Sequence, residues 1–420
     1  MRALFSSFLL LIFFVGATTS YGKETLYPGY IITLKNDTVN GYIDYKNWDK
    51  NPDKILFKKT ISDTGLYFTP ELIIEFNIEN EIYKSAIVEI DQSPFRTNDL
   101  TLSPEFQLIT DTVFLRAVFI GEKELYFLKD SRGKDSFYIK DGSGYHWLMY
   151  KKYLKKEDKK KLLAVNNNYI GQLILYLQNC PTINPVLSSM AYSYKDFLKV
   201  FSYYYDFTKS EVIYQPNQEK VKLNFSVLAG VNITSLKFKS EAGVPYLTDV
   251  DYPISTNFTA GIALDILFPR NFGRWSFNNE VFYTSYSTKG SYENYTHENR
   301  YIITDTELSF SYIKINTMFR RNFPVQKMVI FTDLGFSNGF MITSHNYKKE
   351  TNILFEQINI TEGEAIPETR KHEQCLLVGF GGRYNHFSVG LRYEIGNGMS
   401  NYLNTRSTTH RFYFLFGYKF

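Results

Sequence analysis

Cysteine and histidine, which often hold metals or take part in catalysis, are scarce in this chain of 420 residues. The two cysteines, Cys180 and Cys375, are predicted to be buried free thiols in different domains, with a single long-range disulfide as the alternative. The six histidines are scattered, and no pair has the spacing of zinc ligands. The sequence therefore predicts no metal site.

Common catalytic and nucleotide-binding motifs are also missing. The chain contains neither a P-loop nor an HExxH motif, and we expect no Gly-x-Ser-x-Gly motif of a hydrolase. For a membrane hydrolase, the adjacent histidine and serine candidates are His297 near Ser291 and His410 near Ser407, and neither pair completes a triad. We therefore predict no catalytic residue, no cofactor and no enzymatic activity.

Long apolar runs and a strong net charge are absent too. After residue 22, no apolar stretch reaches the length of about 20 residues that a membrane-spanning helix needs. The net charge of +4 is too small to indicate a nucleic-acid partner. The chain starts with Arg2, an apolar core from Leu4 to Val15, and small residues at Ser20 and Gly22, which predict a signal peptide over residues 1–22.

Aromatic residues are abundant, and their most informative arrangement is at the carboxyl end. Phe412, Phe414, Phe416, Tyr418 and Phe420 alternate with small, polar or basic residues. A strand alternates its side chains with period two, so one face is aromatic and the other is mostly polar. This pattern is typical of a transmembrane β-strand, and terminal aromatics such as Tyr418 and Phe420 are predicted to be the signal that barrel assembly machinery recognises.

The same alternation predicts eight strands between residues 222 and 420, with short and long connections in turn. Transmembrane barrels have short periplasmic turns and longer external loops. We therefore predict a mainly β protein in which residues 221–420 form an eight-stranded antiparallel transmembrane β-barrel. A soluble or surface-bound β-sandwich is the alternative. The predicted long loops cover residues 239–253, 289–304, 344–372 and 397–408.

The residues before the barrel show a different organisation. Residues 23–150 contain several short strand patterns and are predicted to form a small β-rich domain in the periplasm. Residues 151–220 are predicted to form a short helical segment and linker, because apolar residues recur three to four apart around Tyr169–Leu177 and Tyr194–Tyr205.

Charged residues occupy many of the predicted inward positions. Acids and bases are mixed, and eight strands enclose a lumen that side chains can fill, so we predict an internal ion-pair network. A narrow pore is the alternative. The predicted network consists of Asp265, Glu280, Lys314, Arg320, Asp333, Arg392, Glu394 and Arg411.

The second half of the chain resembles outer-membrane β-barrel families of Bacteroidetes, including PorT-like proteins. The resemblance is carried by Phe225-Ser-Val-Leu-Ala-Gly-Val-Asn, Tyr312-Ile-Lys-Ile-Asn, Val389-Gly-Leu-Arg-Tyr-Glu-Ile-Gly and the terminal Leu415-Phe-Gly-Tyr-Lys-Phe. One difference is Asn316, which stands where such proteins often have proline. The first half looks like the β domain that precedes the barrel in some members. One related class assists protein export across the outer membrane.

These observations predict a non-enzymatic protein of the outer membrane whose first domain lies in the periplasm. It is expected to bind, to anchor, or to assist envelope assembly or protein secretion. The expected partners are outer-membrane lipid, the barrel assembly machinery, and an envelope or secretion protein, but no nucleic acid. A soluble binding module and a small outer-membrane pore are the alternatives.

Overall fold

The computed structural model describes residues 25–157, 160–217 and 220–420. The predicted signal peptide, residues 1–22, lies outside the described residues. The chain divides into two compact units, and the boundary falls between Gln218 and Glu219.

The first unit is built on one large antiparallel sheet. Because most of its strands are joined by short turns, consecutive strands pair as neighbours in the order β10-β9-β8-β7-β6-β5-β1-β2-β3-β4, and β13 pairs with β7. The strands are β1 (Leu26–Thr33), β2 (Thr38–Asp44), β3 (Ile55–Lys58), β4 (Leu66–Phe68), β5 (Ile73–Ile78), β6 (Glu81–Asp91), β7 (Leu108–Gly121), β8 (Glu124–Lys129), β9 (Asp135–Asp141), β10 (Gly144–Trp147) and β13 (Val212–Tyr214).

Three helices pack on this sheet: α1 (Asn168–Tyr176), α2 (Asn184–Ser188) and α3 (Tyr194–Thr208). Ser193 caps α3, since its side chain accepts a hydrogen bond from the backbone N–H of Asp196. The apolar face of α3 is buried against aromatic residues of the sheet; the Phe197 and Phe137 rings stack with centroids 4.0 Å apart. The two helices predicted around residues 169–177 and 194–205 are therefore present.

The start of the predicted helical segment is wrong. Residues 151–157 and 160–166 form a separate two-stranded hairpin, with β11 (Lys151–Glu157) paired to β12 (Lys160–Asn166). The apolar residues here stand in adjacent pairs, such as Leu162 and Leu163, rather than three to four apart. That spacing places apolar side chains on both faces of a ribbon and suits a strand better than a helix.

A buried ion pair fastens the end of β6 to the β8–β9 turn. Lys134 Nζ lies 2.6 Å from Asp91 Oδ2, and the Asp91 carboxylate also accepts hydrogen bonds from Ser93 and the backbone of Gln107. Burial alone would raise the pKa of Asp91, but the bonds from Lys134 and Ser93 outweigh that effect and hold the pKa below its ordinary value.

Asp91→Asn is therefore expected to destabilise the first unit by about 3 kcal/mol, because it leaves the buried Lys134 ammonium without its counter-charge. A lowered pKa means that this stabilisation is present at neutral pH and is lost as the pH falls below about 4. Trp48 and Trp147 lie in this unit, so their fluorescence during urea unfolding measures the effect. Asp37→Asn at an exposed turn is the control, and equal unfolding midpoints for the two variants would contradict the prediction.

The second unit is a closed ring of eight antiparallel strands. Each strand pairs with the next along the ring, and the last strand pairs with the first: Val231 lies opposite Phe414 across this closing contact. The ring strands are β14 (Lys222–Ser240), β15 (Ser255–Leu267), β16 (Trp275–His297), β17 (Arg300–Val325), β18 (Met328–Leu354), β20 (His372–Tyr384), β21 (Phe387–Gly396) and β22 (Thr405–Lys419). The predicted count of eight antiparallel strands is confirmed, and a sandwich of two stacked sheets is excluded for this unit.

The two ends of the ring differ. At the end that we call the short-turn end, connections such as residues 326–327 and 385–386 are tight. At the opposite, long-loop end, β16, β17 and β18 extend well beyond their neighbours, and β19 (Gln357–Gly363) folds back on β18. The predicted loop over residues 289–304 is therefore wrong, because nearly all of it is paired strand between β16 and β17.

Candidate functional site: the charged interior of the ring

The ring has a sharp division between its two faces. Side chains that alternate along each strand point either outward or into the interior. The outward positions within residues 223–235, 256–266, 275–287, 309–319, 330–342, 374–384, 387–395 and 410–418 carry no Asp, Glu, Lys or Arg. Large apolar side chains on this face are exposed, including Phe225 on β14, Ile262 on β15, Phe336 on β18 and Phe414 on β22.

The interior, in contrast, contains ten charged side chains that form ion pairs, of which five are carboxylates and five are cations. Nine of these ten side chains are buried, and Arg383 is mostly buried. All eight residues of the predicted network belong to this set, and the ring brings each of them within ion-pair distance of an opposite charge. The ten are Asp265, Glu280, Asp333, Glu373, Glu394, Lys314, Arg320, Arg383, Arg392 and Arg411.

Nearest the short-turn end, Arg320 joins two carboxylates. Its guanidinium binds Asp333 in a bidentate manner, with Nε–Oδ1 and Nη2–Oδ2 distances of 2.7 and 2.9 Å. Asp265 lies farther away, with Arg383 at 3.7 Å and Arg320 at 4.0 Å. A cavity of about 40 Å³ beside these groups has room for a few water molecules.

The next pair along the interior is Glu280 with Arg392. Arg392 Nη2 lies 2.8 Å from Glu280 Oε1, and Nη1 contacts the other carboxylate oxygen. The amides of Asn278 and Asn316 donate further hydrogen bonds to Glu280, at 2.8 and 3.1 Å. A fully buried carboxylate is stable only when its lone pairs are satisfied in this way.

Four charges form a closed group near the middle of the interior. Lys314 Nζ lies 3.0 Å from Glu373 and also contacts Glu394, and Arg411 Nη1 lies 2.8 Å from Glu373 and 2.9 Å from Glu394. Each cation thus touches both carboxylates. We call Lys314, Glu373, Glu394 and Arg411 the four-charge cluster; all four side chains are essentially inaccessible to solvent.

Aromatic and apolar side chains cover the four-charge cluster toward the long-loop end. The guanidinium carbon of Arg411 lies 5.3 Å from the centroid of the Tyr286 ring and 5.7 Å from that of Tyr312. Beyond these rings is an apolar cluster to which helix α4 (Pro245–Thr248) and the loops around Ile366 and Met399 contribute. Within the described residues, ion pairs thus fill the interior from the short-turn end to its middle, and apolar side chains fill it at the long-loop end.

Two carboxylates of the four-charge cluster, together with the neighbouring Cys375, could formally bind a cation. One oxygen of Glu373, one of Glu394 and the Cys375 sulfur lie within 4.8 Å of one another. Lys314 and Arg411 already occupy this position, however, and Lys314 Nζ also donates to the sulfur at 3.3 Å. A metal ion would have to displace two paired cations from a buried position, so the geometry does not favour a metal.

Glu373 is absent from the predicted network; it directly follows the predicted loop over residues 344–372. The available signal was the two-residue alternation of β20, because Glu373, Cys375 and Leu377 are successive inward positions. The expectation that the chain has no Gly-x-Ser-x-Gly motif is wrong, because this pattern occurs at Gly335–Gly339.

That pattern has no catalytic geometry. Ser337 lies within β18 and is paired to both neighbouring strands, whereas the nucleophile of this motif sits on a sharp turn between a strand and a helix. The candidate pair His410 and Ser407 is not supported either, because each residue has another partner. His410 contacts the Tyr393 hydroxyl at 2.6 Å, and Ser407 accepts a hydrogen bond from the backbone of Ser400.

The proposed assembly signal lies on the strand that closes the ring. Tyr418 is opposite Val227 on one side and Phe387 on the other, with its side chain 40% exposed. The Phe420 backbone N–H donates to Phe225 at 3.0 Å, and its ring is 71% exposed. Both rings therefore remain available to a partner at the short-turn end, and their role as a signal stays a prediction.

Among the described residues, no helix has the length and apolar character needed to cross a membrane. Neither a protein-family model nor a curated protein matches the chain.

Solved structures similar to the chain include Neisserial surface protein A and Ail, the attachment invasion locus protein of Yersinia pestis, solved with the heparin analogue sucrose octasulfate. Each is 14% identical and covers 47% of this chain and 99% of its own, with a TM-score of 0.22. A mutant porin of Rh. blastica is 10% identical over 48% of this chain and 100% of its own, with a TM-score of 0.10. All three are outer-membrane β-barrel proteins.

Proposed function

We propose that residues 219–420 form a non-enzymatic outer-membrane β-barrel, and that the first unit is its periplasmic domain. One observation carries this proposal: the closed ring has an apolar, uncharged outer face and a charged, paired interior. A soluble protein of this construction would expose large apolar side chains on all eight strands to water. In a bilayer, the same face is matched to lipid, and ring closure leaves no unpaired strand edge in the hydrocarbon.

The dimensions and the aromatic residues support the same proposal. Transmembrane strands need about 9–11 residues, and all eight ring strands are long enough. At the short-turn end, Trp275 stacks on Phe319 with ring centroids 4.7 Å apart, and Arg321 lies 4.1 Å from the Trp275 ring. Aromatic and basic side chains of this kind are typical of the boundary between lipid and water.

A role in transport of solutes is not supported. The interior cavity of about 40 Å³ has room for only a few water molecules, whereas open aqueous channels occur in barrels with more strands. We therefore favour a function in which the barrel anchors the first unit to the outer membrane. That unit would bind an envelope or secretion protein, as the resemblance to PorT-like families suggests.

The proposal is tested by membrane fractionation of the expressed protein and by gel mobility with and without boiling. We expect the protein to remain in the outer-membrane fraction after urea extraction and to migrate differently before and after heating, because a closed ring resists unfolding by detergent. A protein recovered in the soluble fraction would contradict the proposal.

Deletion of Phe420 is expected to reduce the folded, heat-modifiable form severely in cells, because assembly machinery would no longer recognise the strand that closes the ring. Deletion of Phe355, which is also 71% exposed but lies in the β18–β19 turn, is the matched control. If both deletions lowered the folded fraction equally, Phe420 would have no special role in assembly.

A further inference from the structure

The hairpin formed by β11 and β12 is an isolated feature of the first unit. It forms a separate two-stranded sheet, and two-stranded hairpins are only marginally stable in water on their own. Its base is fastened: the backbone N–H of Leu154 donates to Thr101 at 2.8 Å, and Lys151 Nζ contacts the backbone carbonyl of Glu105. Beyond the base, the side chains of residues 155–157 and 160–163 are exposed.

Both faces of the hairpin carry lysines, but only one of them carries a described acidic residue. Residues directly opposite each other in an antiparallel pair project from the same face. On one face Glu157 lies opposite Lys160, which is a complementary pair, and Lys155 lies opposite Leu162. On the other face Lys156 lies opposite Lys161. Like charges in this position repel one another, and no described acidic residue of the hairpin lies on that face.

The face without a described acidic residue also carries three apolar side chains. Leu154 lies opposite Leu163, and Lys152 lies opposite Val165, so an apolar patch has lysines on both sides. The exposed fractions of Leu163 and Val165 are 58% and 41%. We call this surface the basic face; it consists of Lys152, Leu154, Lys156, Lys161, Leu163 and Val165.

We propose that the basic face binds the surface of an anionic phospholipid bilayer. Lysines beside exposed leucines match a surface that has phosphates at its boundary and acyl chains beneath. Nucleic acid and acidic proteins would satisfy the lysines but would leave the apolar patch without a partner. The inference rests on the proposed function, because the membrane anchor would keep the first unit close to a bilayer.

The inference is tested with the full-length protein in lipid nanodiscs. Val165→Cys, labelled with an environment-sensitive fluorophore, places a reporter on the basic face, and the native Cys180 and Cys375 are buried. In nanodiscs that contain phosphatidylglycerol, lipid-attached quenchers should quench the reporter about twofold or more beyond the level in neutral phosphatidylcholine, and 1 M salt should remove the difference.

Replacing the three lysines of the basic face by glutamine should abolish the difference between the two lipids, whereas replacing them by arginine should keep it. The matched control replaces three other exposed lysines of the same unit by glutamine: Lys35, Lys59 and Lys199. That variant should behave like the parent. The arginine variant changes the same three positions but keeps their charge. It therefore shows whether the glutamine variant fails because charge is lost or because the hairpin does not fold.

Equal quenching in neutral and anionic nanodiscs, or protection of the reporter that requires an added acidic protein or nucleic acid, would overturn the inference. Such a result would leave the proposed function intact, provided that the protein in the nanodisc shows heat-modifiable mobility. If the protein does not enter nanodiscs in a heat-modifiable form, the proposed function itself fails.

Discussion

Arg411→Met is expected to destabilise the ring by about 3–5 kcal/mol, since it removes one partner from a buried group of charges. Arg411 is completely buried and contacts both Glu373 and Glu394. Methionine retains much of the side-chain volume, so the main change is electrostatic. Two carboxylates would then share the single charge of Lys314. The measurement is the urea concentration at which the heat-modifiable form in lipid vesicles is half lost.

A second substitution within the four-charge cluster is expected to compensate for the lost charge of Arg411. A second substitution, Glu373→Gln, restores the charge balance and is expected to recover a large part of the lost stability in the double variant. Arg406→Met is the matched control, because Arg406 lies on the same strand but is exposed. If Arg411→Met and Arg406→Met had the same midpoint, the four-charge cluster would not stabilise the ring.

Phe414→Arg is expected to impair folding into lipid by about 2–4 kcal/mol, the usual cost of a lysine or arginine on the lipid face near the bilayer centre. Phe414 points outward, is 40% exposed, and lies between Val231 and Leu391 of the adjacent strands. The cost arises because a guanidinium in hydrocarbon loses its hydration without gaining a partner. Equilibrium folding into vesicles, followed by gel mobility, measures the difference.

Ile360→Arg is the control for this second substitution. Ile360 is 52% exposed, but it lies on β19, beyond the long-loop end of the ring, where the proposal expects water. Its replacement should change the folding free energy by no more than about 0.5 kcal/mol, as is usual for surface positions. An equal effect of the two substitutions would contradict the assignment of the outer face to lipid.

The alternation of side chains explains why much of the ring was predictable. Period-two patterns such as Phe412, Phe414 and Phe416 identify both the strand and its outward face without knowledge of its neighbours. The same parity assigned Lys314, Glu394 and Arg411 to the interior. Glu373 was not predicted because it lies at the start of β20, directly after a polar loop sequence. The alternation of side chains can therefore be followed only on its carboxyl-terminal side.

Two predictions of local structure are wrong, the loop over residues 289–304 and the start of the helical segment at residue 151, and both have the same cause. Whether a segment forms a strand depends on the other segment with which it pairs. The segment over residues 289–304 contains many polar residues, and it resembles a loop until β16 and β17 are aligned. Similarly, the basic run at the start of the hairpin lacks a clear period, and its pairing with residues 160–166 makes it a strand. Local sequence does not contain this information, because the hydrogen bonds are made to another segment.

By itself, the sequence determined how many strands the second unit has, which side chains each strand directs outward, and that acids and bases share the interior. Only the tertiary structure decided that the last strand meets the first, that each cation of the four-charge cluster contacts both carboxylates, and that apolar loops close one end. The physical reason is the sequence distance between the residues involved. Alternation is a property of neighbouring residues, whereas ring closure joins residues as far apart as Val231 and Phe414, and charge pairing joins Glu280 to Arg392.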